Sequence, residues 1–120
     1  MSFKANVRQV GGVSVVDLSG RITLGEGSGL LRSTIKDLVS AGHKDILLNL
    51  RDVNYIDSAG LGELVGSYAT ITNMGGRIKL LNTQGKVKDL LAVTKLYSVF
   101  ATFEDEPTAL ASYGADAAGA

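Results

Sequence analysis

Asp57 and Ser58 stand side by side after Asn54-Tyr55-Ile56, and behind them come Ala59, Gly60, Leu61, Gly62 and, one turn later, Gly66. A hydroxyl beside a carboxylate at the mouth of a helix has two kinds of chemistry open to it. It can cap, since a side-chain oxygen of Asp57 or of Ser58 would accept a hydrogen bond from an unpaired amide of the first turn. It can also be more than a cap: a reachable hydroxyl where something comes close to the helix mouth. The glycines bear on the choice. Glycine costs roughly 1 kcal/mol relative to alanine inside a helix, yet this segment accepts Gly60, Gly62 and Gly66 in its first turns. A close approach must compensate, either of the sheet beneath or of a partner protein above.

The elements that must position these residues are legible on both sides. Ile46, Leu47, Leu48 and Leu50 form a short apolar run with the length and branching of a strand buried on both faces. Beyond Ser58, the residues Leu61, Leu64, Val65, Tyr68 and Thr72 recur at helical spacing and predict the face that lies on the sheet. Ala59, Gly62, Gly66 and Thr70 share another face with almost no side chain on it. Strand, polar junction and helix make half of a β/α unit.

The segment Asn54-Tyr55-Ile56-Asp57-Ser58-Ala59-Gly60-Leu61-Gly62 resembles the phosphorylation-site motif of the STAS domain, the anti-sigma factor antagonist family of bacteria. The likeness extends over roughly residues 3 to 113, with strands, helices and the Gly75-Gly76 turn in the family's order. It implies that Ser58 is phosphorylated by a partner that is both serine kinase and anti-sigma factor, with ATP bound by that partner. It further implies that Asp57, Ser58, Ala59, Gly60, Gly62 and Gly66 belong to the partner-binding surface. The family also carries an aspartate in a Gly-x-Leu/Ile-Asp sequence near the serine. Here the matching residues are Gly20-Arg21-Ile22-Thr23, so Thr23 replaces the acid and joins the expected surface.

Composition narrows the classes. The chain has 120 residues, 45% of them hydrophobic and 20% charged, which suits one globular domain with one core. Its formal net charge is zero, so no basic excess points to direct nucleic-acid contact or to an anionic membrane surface. Without cysteine, disulfides, thiolate chemistry and cysteine-ligated metal are excluded. The single histidine, His43, stands alone without a triad or metal constellation and reads as a solvated loop residue, so neither a metal nor a catalytic triad is expected. No run of about 18 apolar residues occurs and the start does not read as a signal peptide, which predicts a cytoplasmic protein.

An enzyme reading finds little. Gly60-x-Gly62-x-x-x-Gly66 has its third glycine one residue late for a dinucleotide fingerprint, and Asn82 stands where a ribose-binding acid is wanted. Gly25-Glu26-Gly27-Ser28-Gly29 lacks the lysine of a phosphate loop, and Ser58 is not in a Gly-x-Ser-x-Gly elbow. No catalysis of its own and no cofactor are expected.

Along the chain, residues 3–9 and 13–18 flank Gly11-Gly12 and predict an antiparallel hairpin. A glycine-rich loop comes next. A helix is expected from Ser28, with Leu31, Ile35, Leu38 and Val39 inward and Gly42 beyond its end. Residues 77–81 predict a strand, 86–93 a short amphipathic helix with Val87, Leu90 and Leu91 inward, and 99–103 the last strand. Glu104-Asp105-Glu106-Pro107 introduces a final helix. The expected fold is α/β: a mixed β-sheet with an N-terminal antiparallel hairpin and helices packed on it, STAS-like, in a single domain over 1–113 with a flexible tail over 114–120. The expected function is a phosphorylation-switched anti-sigma factor antagonist, with room for weak self-association. The alternative is a non-enzymatic scaffold subunit of a multi-STAS sensory complex; a nucleotide- or lipid-binding domain is a third reading.

Overall fold

The computed structural model describes residues 3–118, with side chains as far as Gly114. Its five strands lie in sequence order, β1(Lys4–Val10), β2(Val13–Ile22), β3(Asp45–Ile56), β4(Arg77–Leu81) and β5(Thr102–Phe103). Gly11 and Gly12 both take positive φ, 55° and 84°, and close a two-residue hairpin that pairs Val10 with Val13. The remaining pairs, β2/β3, β3/β4 and β4/β5, are parallel. The crossovers run through α1(Glu26–Ser40), α2(Ser58–Asn73) and α3(Gly85–Val93), the last succeeded by a short 3-10 turn over Leu96–Ser98. Sequential crossovers of one hand put their helices on one face of the sheet. Accordingly, the main core gathers Leu31, Leu64, Ile71, Val87 and Leu91 against Val16, Ile46, Leu48 and Leu50. Each such side chain stabilises by about 1.5–3 kcal/mol when fully buried.

The last helix, α4(Glu106–Ala118), covers the opposite face, where Ala109 and Tyr113 pack on Val13, Val15, Leu47 and Leu81. The Tyr113 hydroxyl donates to the Ile46 carbonyl and fixes that docking. β3 is therefore buried on both faces, as its apolar run predicts, with Leu48 on one side and Leu47 on the other. Among the described residues no helix is long and apolar enough to cross a membrane.

Several boundaries differ from the sequence reading; β2, for one, runs past residue 18 to Ile22. β3 runs on to Ile56, because Val53 and Ile56 anchor its polar second half in the core. α1 starts at Glu26 rather than Ser28, since Gly27 is buried under β2; a Cβ there would lie 2.3 Å from the Arg21 carbonyl oxygen. The last strand shrinks to Thr102–Phe103. Lys95 takes a left-handed φ of 61° and Phe100 donates its amide to the Leu96 carbonyl, so Val99 and Phe100 belong to the turn and Phe100 seals the main core. Finally, α4 continues to Ala118 through alanines that favour helix, well into the stretch read as a tail; residues 119–120 lie outside the described ones.

Candidate functional site

Two register shifts in the β2/β3 pair, between Asp17 and Ser19 and between Gly20 and Arg21, lengthen β3 relative to its neighbour. Such irregularities bend a strand and re-aim the residues beyond its end. Directly beyond β3 stands Asp57, in extended conformation at φ −99°, and it is the N-cap of α2. Its Oδ1 accepts from the Gly60 amide at 2.9 Å, and its Oδ2 accepts from the Leu24 amide at 3.0 Å. The Asp57 amide in turn donates to the Ile22 carbonyl at 3.2 Å, so the loop after β2 is tied to the helix mouth from both sides. The Gly60 amide, and after it that of Leu24, hold the Asp57 carboxyl below its ordinary range.

Of the two capping candidates, Asp57 thus does the capping. Ser58 is the first residue of the helix, it is exposed, and its hydroxyl has no hydrogen-bond partner among the described residues. Ser58, Gly62, Val65, Ala69 and Thr72 recur at steps of four and three and are all exposed, one outward ridge of small and apolar side chains. Val65, 41% exposed, and Thr72 belong to this ridge and not to the buried face where the stripe placed them. The buried line is Gly60, Leu64, Ser67 and Ile71, flanked by Leu61 and Tyr68, whose ring meets that of Phe100 edge-on at 5.3 Å.

The glycines divide. Gly60 is buried, and a Cβ on it would fall 2.1 Å from the Ile22 carbonyl oxygen and 2.8 Å from side-chain carbons of Ile22 and Ile56. Its lack of a side chain is accounted for by the sheet beneath. Gly62 and Gly66 are exposed, and a Cβ on either would meet nothing within 4 Å. No contact among the described residues accounts for them. Both border an open groove of about 630 Å³ between α1 and α2, lined also by Arg32, Lys36, Val39 and Thr70. Arg32 Nε donates to Glu63 Oε1 at 2.8 Å and ties the two helices together along it.

Ala59 is half-buried at the helix mouth. Thr23 is half-buried in the loop, its carbonyl accepting from the Ser28 amide at 3.0 Å, one residue before the amide that Asp57 holds. Next to it Leu24 is 80% exposed, an apolar side chain at the site that sequence reasoning passed over because it lies in a glycine-rich loop. His43 is half-buried after α1, where its amide donates to the Leu38 carbonyl.

The sheet and this helix mouth define a class: a small α/β module that presents an unengaged serine and a glycine-bearing helix face outward. The STAS domain family profile matches residues 4–109. The chain is 30% identical over 99 residues to the anti-sigma-B factor antagonist of Bacillus subtilis, a match covering 82% of this chain and 89% of that one. The chain belongs to the STAS domain family. Among solved structures, an anti-sigma factor antagonist from Mycobacterium paratuberculosis superposes with a TM-score of 0.82 at 23% identity, covering 92% of this chain and 93% of that one. SpoIIAA of Bacillus in its phosphorylated form superposes with a TM-score of 0.73 at 20% identity, covering 92% and 99%. At these identities the two structures speak for the fold alone.

Proposed function

We propose that this protein is an anti-sigma factor antagonist working as a phosphorylation-switched binding protein in the cytoplasm. Unmodified, it holds an anti-sigma factor that is also a serine kinase, and so frees a sigma factor. Phosphorylated on Ser58, it lets go. The observation that carries this reading is the Ser58 hydroxyl, exposed and unengaged at the head of the Gly62–Val65–Ala69 ridge while Asp57 does the capping.

ATP belongs to the partner, and this chain supplies the acceptor. The Ser58 oxygen attacks the γ-phosphorus, its proton is lost to solvent or to a base of the partner, and ADP leaves. The product is a serine phosphomonoester at a helix start, where the amides and the macrodipole favour an anion and the fold has no reason to break. Beside it the Asp57 carboxylate stays ionised, held so by Gly60 and Leu24. A partner closed over Gly62 and Gly66 would then have to desolvate a dianion next to a carboxylate, which is far more costly than moving off. Release results from charge and bulk at the interface.

The test is intact-mass analysis after incubation with ATP and the anti-sigma factor kinase of the same organism, with subsequent site mapping. One phosphoryl group on Ser58 and dissolution of a discrete complex on size-exclusion are expected. A large assembly that ATP leaves intact would contradict the reading and favour a scaffold role.

A further inference from the structure

Five arginines occur in the chain. Three are paired with carboxylates: Arg8 with Asp17 and Glu106, Arg32 with Glu63, and Arg77 with Asp45. The other two, Arg21 and Arg51, meet no carboxylate among the described residues, and both lie in the second halves of β2 and β3, toward the end that leads to Ser58. Arg21 is in register with Tyr55, and its guanidinium carbon lies over the Tyr55 ring, 4.7 Å from the centroid. The Lys86 ammonium, from the first turn of α3, lies 5.4 Å from the same centroid. Arg51 and Lys86 line one open depression of about 390 Å³ together with Gln84 and Asp52. Arg51 and Lys86 therefore share this depression with one acid, Asp52, and Lys86 shares the Tyr55 ring with Arg21, in a chain whose formal net charge is zero.

The ring gives this cluster its use. An arginine or lysine that rests on an aromatic face is held without spending its hydrogen-bond donors, and the in-plane N–H groups of a guanidinium stay available to a carboxylate. Held side chains also lose less conformational entropy when a ligand binds than free ones do. The chemistry that fits is a run of carboxylates. Nucleic acid fits less well, because three cations in a neutral chain give little counterion release. We infer that Arg21, Tyr55 and Lys86, with Arg51 at the edge, form a docking site for an acidic segment of the protein partner. The inference rests on the partner-binding reading above and deepens it. Ser58 lies three residues beyond Tyr55, roughly 10 Å of chain, so a phosphoryl group there draws on the same cations and repels the same acidic segment.

The test is a titration of the ¹⁵N-labelled chain at low salt, monitored by amide shifts, with an octaglutamate peptide, an octathymidylate and an octalysine peptide. Octaglutamate is expected to move Arg21, Arg51, Tyr55 and Lys86 saturably, and the Arg21→Gln/Lys86→Gln double variant to bind it about tenfold more weakly. Lys4→Gln, an exposed lysine on the edge strand β1, should leave that affinity unchanged. Equal affinity in the double variant, shifts spread over Lys4, Lys36 and Lys95, or tighter binding of octathymidylate at the same residues would overturn the inference. Ser58 takes no part in this measurement. A saturable octaglutamate site in a chain that no kinase modifies would sink the switch and keep the docking site, and the reverse outcome would sink the docking site alone.

Discussion

Two helices of this protein begin with the same device and come to different ends. At α2, Asp57 accepts from the Gly60 amide three residues on; at α4, Asp105 Oδ2 accepts from the Thr108 amide, also three residues on, at 2.9 Å. Both carboxyls are held below their ordinary range, first of all by those amides. The difference lies in the residues after the cap. Behind Asp105 come Glu106 and Pro107, and Glu106 is taken by Arg8, whose Nη1 donates to Glu106 Oε2 at 2.9 Å while its Nε donates to Asp17. That helix start is neutralised and pinned to the hairpin. Behind Asp57 come Ser58, Ala59 and Gly60, with no charged side chain among them. The same cap closes one helix mouth and leaves the other open to an anion and to a neighbour.

The comparison can be broken most severely at Gly60. Gly60→Ala puts a methyl group 2.1 Å from a backbone oxygen and is expected to cost about 3 kcal/mol, read as a fall in the urea midpoint, or to prevent folding. Gly62→Ala and Gly66→Ala meet open space and should each raise stability by about 0.5–1 kcal/mol while weakening partner binding. Stabilised variants that bind the partner as well as the parent would mean that this face is not the interface.

Acid sharpens the contrast further. Hydrogen bonds from Arg8 lower the carboxyls of Asp17 and Glu106, and backbone amides lower those of Asp57 and Asp105. A folded-state value below the unfolded one means that the unfolded chain binds protons first. The stabilisation is thus fully present above about pH 4–4.5, the unfolded carboxylate range, and is lost as pH falls through the folded values. Urea midpoints measured from neutral pH downwards should fall in that window. Arg8→Gln should flatten the fall without touching partner affinity, and Asp57→Asn should flatten it while also loosening the Leu24 loop, seen as faster amide exchange at Leu24. The smallest effect is expected from His43→Gln, which should leave both stability and binding near those of the parent.

Most of the scaffold was legible in the residues because its signals are local. Gly11-Gly12, the apolar run of β3, the α3 stripe and the helix stops at Gly42 and Gly75 each act over a few residues through φ or periodicity. Strand ends were read less well. The second half of β3 is polar, and only its pairing with β2 makes it a strand. Phe100 is hard to place from its neighbours for a related reason: a left-handed Lys95 turns the chain before the sheet can use it. At the site, the pattern shows a polar junction and a bare helix face, but local spacing does not say which of Asp57 and Ser58 caps; Asp57 is held by the Gly60 amide and also by that of Leu24, thirty-three residues away. Nor could it separate Gly60 from Gly62, since the atoms that forbid a side chain on Gly60 come from Ile22 and Ile56. The Arg21–Tyr55–Lys86 cluster joins three elements and has no sequence signature.

The most direct measurement compares the affinity of the anti-sigma factor for the parent chain, Ser58→Ala and Ser58→Glu, with amide spectra to show that all three keep one fold. Parent and Ser58→Ala should bind alike, while Ser58→Glu and the phosphorylated parent should bind at least about a hundredfold more weakly, a loss of about 2.7 kcal/mol. Equal binding by Ser58→Ala and the phosphorylated chain would contradict the account.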